Sequence, residues 1–270
     1  MQICNASVKD LPELKQMWQD IFKDGADFCD FAFTICDLDG IFIIKDGEIP
    51  VAMLMAGINV TAYGKKGYYV YGVCTKNEYR RQGYAGALLE YVDKVKSSQG
   101  YDFAITCPAT PELFSYYERF GFANKTYRRG FTVNIKRNLW ASGDFDTVTF
   151  NKFKETREKF KEDEIVHFDP KAYEKFTEYV YKTGGSTVQT KDAYGVYFVE
   201  KNELFVKELF ASCTATAQTL LQAIRERTGI ETAHIQLSQN SSLFLGEGKL
   251  TEYALIKGID REVYANLMFD

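Results

Sequence analysis

The stretch that decides the fold is YRRQGYAGALL, Tyr79 to Leu89. The residues before it, 67–75 (GYYVYGVCT), are rich in aromatic and β-branched side chains and predict a strand. The residues after it place apolar side chains three and four positions apart, which predicts an amphipathic helix that ends at Gly100. A basic, glycine-containing loop therefore connects a strand to a helix.

Such a loop forms an anion site from ordinary backbone chemistry. The first amides of a helix lack acceptors within the helix, and the helix dipole favours negative charge beside them. Gly83 and Gly86 remove side chains, so that a phosphate can approach the backbone, while Arg80 and Arg81 add positive charge. The loop predicts a pyrophosphate site. Neither ATP nor NAD is favoured, because neither G-x-x-x-x-G-K-[ST] nor G-x-G-x-x-G fits the spacing.

The pattern around this loop is α/β. Upstream, Asp10-Leu11-Pro12-Glu13 predicts the start of a helix, with Asp10 as its cap and a proline in its first turn. Downstream, the order strand, helix, strand implies a parallel pair joined by a right-handed crossover. The other predicted elements of the first half are strands at 41–45, 49–60, 101–107 and 131–135 and a helix at 111–120.

The second half repeats part of the first. Residues 138–165 are polar and charged and predict a solvated helical connector. Beyond them, a strand–strand–helix–strand pattern over 194–238 coincides with the first half after a shift of 132 positions. The predicted fold class is therefore α/β (α+β, with mixed sheets). It comprises two similar domains in tandem, 1–140 and 141–270, of which the second is degenerate.

Composition excludes several functional classes. The 270-residue chain has a formal net charge of -4, which argues against a nucleic-acid binder. Its six cysteines follow no zinc-binding spacing, so no metal site is predicted. The N-terminus lacks the pattern of a secretory signal, and the longest apolar run, 51–58, is too short to span a bilayer. These features predict a cytoplasmic protein that binds no membrane.

In this order of elements the chain resembles the GNAT superfamily of N-acetyltransferases, over roughly residues 1–137. Arg80 to Ala85 fits the superfamily's R/Q-x-x-G-x-G/A motif, and YERFGF at Tyr117 to Phe122 resembles its Y-x-K/R-x-G-F run. GVCT at 72–75 stands where the central strand of the family runs beside pantetheine. The resemblance implies an acetyl-CoA site that consists of Val73, Cys74, Thr75, Arg80, Arg81, Gln82, Gly83, Tyr84, Ala85 and Gly86.

The resemblance also implies the chemistry, which is direct acetyl transfer to a primary amine with both substrates bound. Backbone amides near Val73 to Thr75 would polarise the thioester carbonyl. Tyr117 matches the tyrosine that many members use as the acid for the leaving thiolate, although a packed aromatic is the alternative. The acceptor could be a small molecule, a peptide N-terminus or a lysine.

The general base is not fixed by these motifs. His167 and His234 are the two histidines of the chain and lie in the second half, and Glu78 could be an ordinary exposed carboxylate. The tandem architecture resembles the enhanced-intracellular-survival type of acetyltransferase, which implies that the carboxylate of Asp270 acts as base. A frayed chain end is the alternative, and the apolar residues Leu267, Met268 and Phe269 favour a docked one.

The second repeat lacks the features of the loop. The shift of 132 places Ser212, Ala215 and Gln218 where the first half has arginine and glycine, so a single CoA site is predicted. The second half is expected to shape an acceptor cleft, and the protein could form homo-oligomers. The alternative function is a non-catalytic acyl-CoA sensor or interaction module on the same fold.

Two further features bear on the mechanism. Many family members have an asparagine early in the helix after the second strand, where this chain has Pro108-Ala109-Thr110-Pro111, which puts that CoA contact in doubt. Cys74 and Cys107 lie on predicted adjacent strands near the thioester. A cysteine acyl intermediate is one reading of them, and buried packing is the favoured one.

Overall fold

The structure is a computed structural model that describes residues 2–137, 144–161 and 163–269. The chain divides into two compact units, Met1–Asn124 with Ala254–Arg261, and Lys125–Tyr253 with Glu262–Asp270. This division differs from the predicted boundary at residue 140. The strand that begins at Asn124 pairs with a strand of the second unit, whereas residues 254–257 return to the first.

The first unit is a mixed sheet with helices packed on it. Its sheet has the order β1-β2-β3-β4-β5, followed by residues 254–257, and β4 and β5 form the predicted parallel pair. The elements are β1 (Gln2–Asn5), α1 (Leu11–Phe22), α2 (Ala26–Ile35), β2 (Ile41–Asp46), β3 (Ile49–Ala62), β4 (Lys65–Thr75), α3 (Tyr84–Ser98), β5 (Phe103–Thr106) and α4 (Pro111–Glu118).

The sheet of the first unit buries both of its faces. On one face, Leu54 and Val70 pack with Leu88 of α3 and Phe114 of α4 in one apolar cluster. On the other face, the ring of Trp18 from α1 lies 5.5 Å from the ring of Tyr71. Alternate residues of a strand point to opposite faces, so β4 supplies side chains to both layers.

Helix α1 begins where the sequence predicts, but its cap differs from the prediction. Asp10 makes no capping bond to α1. Its carboxylate accepts hydrogen bonds from the backbone N–H and the hydroxyl of Ser7, at 2.9 and 2.6 Å, and pairs with Lys45 at 2.7 Å. Asp10 therefore closes a capping box that Ser7 begins, one turn earlier in the chain.

The second unit repeats the order of the first. Its sheet runs β6-β12-β11-β10-β9-β7, with β11 and β12 parallel, and residues 249–253 of β13 lie beside β6. The elements are β6 (Asn124–Asn134), β7 (Asp146–Thr147), α5 (Phe153–Lys159), β8 (His167–Phe168), α6 (Pro170–Lys182), β9 (Ser186–Gln189), β10 (Ala193–Glu200), β11 (Glu203–Ala211), α7 (Thr214–Thr228), β12 (Thr232–Ser238) and β13 (Lys249–Lys257).

The predicted shift of 132 holds for the buried helix faces and fails for the helix starts. Leu88, Leu89 and Val92 of α3 correspond to Leu220, Leu221 and Ile224 of α7, and all six side chains are buried. However, α7 begins at Thr214, 130 positions after the start of α3 at Tyr84. The second helix thus has two extra residues ahead of the shared face.

The predicted solvated connector is only partly solvated. In α5, Phe153 and Arg157 are completely buried. The guanidinium of Arg157 makes a two-pronged ion pair with Glu208 of β11, at 2.8 and 2.9 Å, and donates to the backbone oxygen of Val166 at 3.1 Å. The prediction was wrong here because a charged side chain with a buried partner looks in sequence like a surface residue.

Among the described residues, the structure contains no helix of the length and apolar character that a membrane span requires.

Candidate active site

Strands β4 and β5 part to form a fork. They pair from Gly67 with Phe103 to Val70 with Thr106, where β5 ends, whereas β4 continues to Thr75. At Gly72, φ is 57° and the pairing of β4 with β3 is irregular nearby. A β-carbon at Gly72 would lie 2.5 Å from the Trp18 ring, so glycine is required both for the turn of the backbone and for the packing.

The side chain of Tyr117 is hydrogen-bonded at the vertex of this fork, which is the point where β4 and β5 stop pairing. Its side chain, which is only 7% exposed, hydrogen-bonds to Thr106, and the Thr106 hydroxyl donates to the backbone oxygen of Val70 at 3.1 Å. Val70 and Thr106 are the last residues that pair. Burial raises the pKa of Tyr117, and the bond with Thr106 opposes that rise. The phenol therefore stays protonated, with its hydroxyl at the place where the strands separate.

The edge of β4 beyond the vertex carries the three strand residues predicted for the site. Val73 and Thr75 are half-buried, and Cys74 is buried. Burial raises the pKa of the Cys74 thiol. A thiol that stays neutral is a poor nucleophile, so the environment of Cys74 favours packing over an acyl intermediate.

The loop after β4 bends through two residues in the left-handed region. Arg81 has φ of 62° and Gly83 has φ of 85°. Gly83 is the N-cap of α3, and its oxygen accepts the bond from the N–H of Ala87 at 2.9 Å. The amides of Tyr84, Ala85 and Gly86 thus form the first turn of α3, which is the geometry that favours an anion.

The side chains of the loop are exposed or half-buried. Arg80 donates from Nε to the backbone oxygen of Thr75 at 3.3 Å, which holds the guanidinium beside the end of β4. The Tyr84 hydroxyl donates to the side-chain oxygen of Gln82 at 2.9 Å. Arg81 is exposed. Both arginines therefore lie on the loop that leads into the helix terminus.

The two glycines of the loop have different roles. A β-carbon at Gly83 would have no neighbouring atom within 4 Å, so the positive φ is the reason for glycine there. At Gly86, a β-carbon would lie 2.8 Å from the ring of Phe120. The sequence predicted that the missing side chain of Gly86 leaves room for a phosphate, but the ring of Phe120 fills that space. Gly86 can therefore contact a ligand only through its backbone.

The chain end is docked in the second unit, as predicted. Leu267, Met268 and Phe269 are buried, and the Phe269 ring lies 5.3 Å from that of Phe168. Asp270 lies outside the described residues.

His167 belongs to a buried hydrogen-bonded network of the second unit. Arg157 donates to the Tyr173 hydroxyl at 2.8 Å, and the hydroxyl lies 2.9 Å from Nδ1 of His167. Nε2 of His167 lies 2.6 Å from a carboxylate oxygen of Glu158. A neutral ring satisfies all of these bonds, because Nδ1 accepts from the phenol and Nε2–H donates to the carboxylate. The network assigns His167 a structural role.

The network makes a pH-dependent prediction for His167. Burial, with the positive charge of Arg157 second, lowers its pKa to about 4. In the unfolded chain a histidine takes up its proton near pH 6.5. The contribution of neutral His167 to the free energy of unfolding is therefore complete above that pH and is lost as the pH falls toward 4. We expect His167→Gln to remove about 2–3 kcal/mol of the decline in unfolding free energy between about pH 7 and 4.5. Denaturant titrations at several pH values measure it.

His234 provides the matched control for this prediction. It is half-buried on β12, with Nδ1 2.9 Å from the Thr132 hydroxyl. His234→Gln makes the same substitution outside the buried network and is the comparison for His167→Gln. If the free energy of unfolding falls equally with pH in His167→Gln and in the unmodified chain, the assignment of His167 to the buried network is wrong.

The second unit has a fork of its own, and the C-terminal segment occupies it. The last parallel pair is Val206 with Ile235, and β11 continues to Ala211. The buried carboxamide of Asn266 donates to the backbone oxygen of Lys207, at 2.5 Å, and accepts from Arg128 of β6 at 3.2 Å. Its side chain thus links β11 to β6 beside the opening. This arrangement supports the prediction of a single donor site.

The sequence did not predict the roles of two of these residues, Thr106 and Asn266. Thr106 ends a short apolar strand, and no motif marks it as a partner of Tyr117. Asn266 stands in an apolar tail, where a single polar residue among buried ones is the signal that could have found it.

Comparison with known proteins finds a family model that matches part of the first unit. Residues 37–124 match the model of the acetyltransferase (GNAT) domain. Among curated proteins, none matches the chain in sequence.

Similar solved structures cover nearly the whole chain. A GCN5-related N-acetyltransferase from Kribbella flavida has a TM-score of 0.73 at 17% identity, covering 94% of this chain and 71% of its own. Eis1 from Mycobacterium abscessus has a TM-score of 0.70 at 12% identity, covering 95% and 73%. A putative acetyltransferase from Pyrococcus horikoshii has a TM-score of 0.63 at 14% identity, covering 96% and 89%. At these identities the likeness is one of fold.

The matched region contains the fork, the arginine-glycine loop and Tyr117. The first unit therefore contains a region that matches the GNAT acetyltransferase domain, and the chain has a fold like that of Eis1 and the other acetyltransferase structures.

Proposed function

We propose that this protein transfers the acetyl group of acetyl-CoA directly to a primary amine while both are bound. One observation carries the proposal. The Tyr117 side chain is hydrogen-bonded to Thr106 at the point where β4 and β5 separate, and β4 leads through the Arg80–Gly83 loop into the N-terminus of α3. Such a site offers an extended edge, an anion-binding terminus and a proton donor in one chain segment and its neighbour.

The donor would bind in two parts. Backbone groups of Val73, Cys74 and Thr75 would hold the pantetheine arm as an added strand, because its amides resemble a peptide. The pyrophosphate would bind the first amides of α3, between Gly83 and Gly86, with Arg80 and Arg81 supplying charge-assisted hydrogen bonds. Gln82 would frame the loop through its bond with Tyr84.

The chemistry needs one proton acceptor and one proton donor. The neutral amine attacks the thioester carbon, the carbon–sulfur bond breaks, and the thiolate accepts a proton from Tyr117. The amine proton passes to a base, for which we propose the carboxylate of Asp270. Unchanged turnover after deletion of Asp270 would overturn that assignment.

A panel of primary amines with acetyl-CoA tests the function itself. Free thiol should appear with at least one small amine, peptide N-terminus or lysine peptide. If acetyl-CoA binds but no amine causes release of thiol, the result favours the alternative, a non-catalytic acyl-CoA sensor or interaction module. Two predictions stay untested: that residues 141–270 shape the acceptor cleft, and that the protein forms a homo-oligomer.

Removal of the loop charges should weaken donor binding. We expect Arg80→Ala and Arg81→Ala each to raise the dissociation constant for acetyl-CoA about tenfold, because each loses a charge-assisted hydrogen bond to phosphate. Calorimetric titration with acetyl-CoA measures the effect. Lys9→Ala, which removes an exposed cation of the same unit, is the control and should bind as before. Equal affinity in all three variants would contradict the pyrophosphate site.

A further inference from the structure

We propose that the first unit carries a second ligand site, for a medium-chain carboxylate, separate from the donor fork. A cavity of about 360 Å³ lies beside the second half of α3. That volume falls at the small end of the range of ligand pockets in proteins. The proposal does not depend on acetyl transfer.

The cavity is lined by residues of α3 and by residues that follow the end of α4. Helix α4 ends at Glu118 and the chain turns at Gly121, with φ of 86°, whereas α3 continues to Ser98. The ring of Phe120 packs against Gly86 and lines the cavity. The cavity therefore lies on the side of Phe120 toward the C-terminal half of α3.

The deep wall of the cavity is apolar. It contains the side chains of Leu54, Val70, Val92 and Phe122, all of them buried in the core cluster of this unit. Surfaces of this kind bind hydrocarbon by removing it from water. A ligand for this wall needs an aliphatic or aromatic body.

The polar side chains of another wall already form hydrogen bonds with one another. Asp93 accepts from the Tyr68 hydroxyl at 3.3 Å and from Nζ of Lys257 at 2.8 Å. The side chain of Lys257 passes over Gly121, with a carbon 3.3 Å from where a β-carbon would be. The charge of Asp93 is therefore matched within the wall and does not select the ligand.

The mouth of the cavity selects an anion. The charged lining residues that are exposed are Lys94, Arg119 and Glu90. The guanidinium of Arg119 lies 4.9 Å from the centre of the Tyr116 ring, which restricts its position. With Asp93 matched by Lys257, the mouth has an excess of one positive charge, which suits a carboxylate on an apolar chain.

Calorimetric titration with decanoate below its micellar concentration tests the site. One decanoate should bind per chain, and the double variant Lys94→Glu/Arg119→Glu should bind it about tenfold or more weakly. Lys136→Glu/Arg137→Glu, which makes the same charge change at exposed residues of the second unit, is the matched control and should bind normally. Decylamine should show the opposite preference between wild type and the Lys94/Arg119 variant.

Three outcomes would overturn the proposal. These are failure of the unmodified protein to bind decanoate, equal binding by the two double variants, and displacement of decanoate by saturating CoA. The last result would place the ligand in the donor fork instead. None of them bears on acetyl transfer, which the amine panel tests independently.

Discussion

Replacement of Glu208 with glutamine is expected to lower the free energy of unfolding by about 3–5 kcal/mol. Glu208 and Arg157 are both completely buried, and the carboxylate accepts two charge-assisted bonds from the guanidinium. The amide cannot neutralise the guanidinium, which then stays in the interior as an uncompensated charge. Urea denaturation of the unmodified and substituted chains measures the difference.

Two further variants separate charge burial from simple loss of a contact. Glu178→Gln removes a carboxylate that is 35% exposed and pairs with Lys175 and Lys182, so its cost should stay below about 1 kcal/mol. The double variant Arg157→Met/Glu208→Leu should recover much of the loss, because it removes both charges together. A Glu208→Gln variant as stable as Glu178→Gln would contradict this account.

The sequence predicted best the elements that local patterns specify. The helices over Leu11–Phe22 and Thr214–Thr228 both follow from apolar spacing, and the first also follows from the proline in its first turn. Each of these signals lies within a few residues of the structure it specifies.

Elements defined by distant partners were missed. Residues 255–257 pair with β5 although more than a hundred residues separate them in the chain. Helix α2, Ala26–Ile35, has apolar residues at too many positions for a clear amphipathic face, since Cys29, Phe31, Ala32 and Ile35 are all buried. Nothing in the local sequence states which strand or helix will cover such segments.

The candidate site divides in the same way. The loop from Arg80 to Gly86 and Tyr117 belong to short motifs, so the sequence alone proposed them. The geometry of the fork depends on the close contact of Gly72 with Trp18 and on the bond between Tyr117 and Thr106, which join separate segments. Physical contact across the sheet, rather than composition, sets these relations.

Replacement of Tyr117 with phenylalanine is expected to lower kcat about 100-fold, with little change in the affinity for acetyl-CoA. The phenol sits at the fork vertex through its bond to Thr106, and burial raises its pKa, so it is protonated across the working pH range. Phenylalanine keeps the ring packing with Phe122 and removes only the donor. Steady-state thiol release together with acetyl-CoA titration separates turnover from binding.

The neighbouring residue supplies the matched control for this experiment. Tyr116 is half-buried, and its ring lies 5.4 Å from that of Tyr117, so Tyr116→Phe removes a hydroxyl from the same helix. Tyr116→Phe should retain turnover, and Thr106→Val should lose part of it, because valine cannot hold the phenol in position. Since the pKa of Tyr117 is raised, its loss should lower the rate equally across neutral pH. Full activity in Tyr117→Phe would restrict this side chain to packing and leave departure of the thiolate to another group.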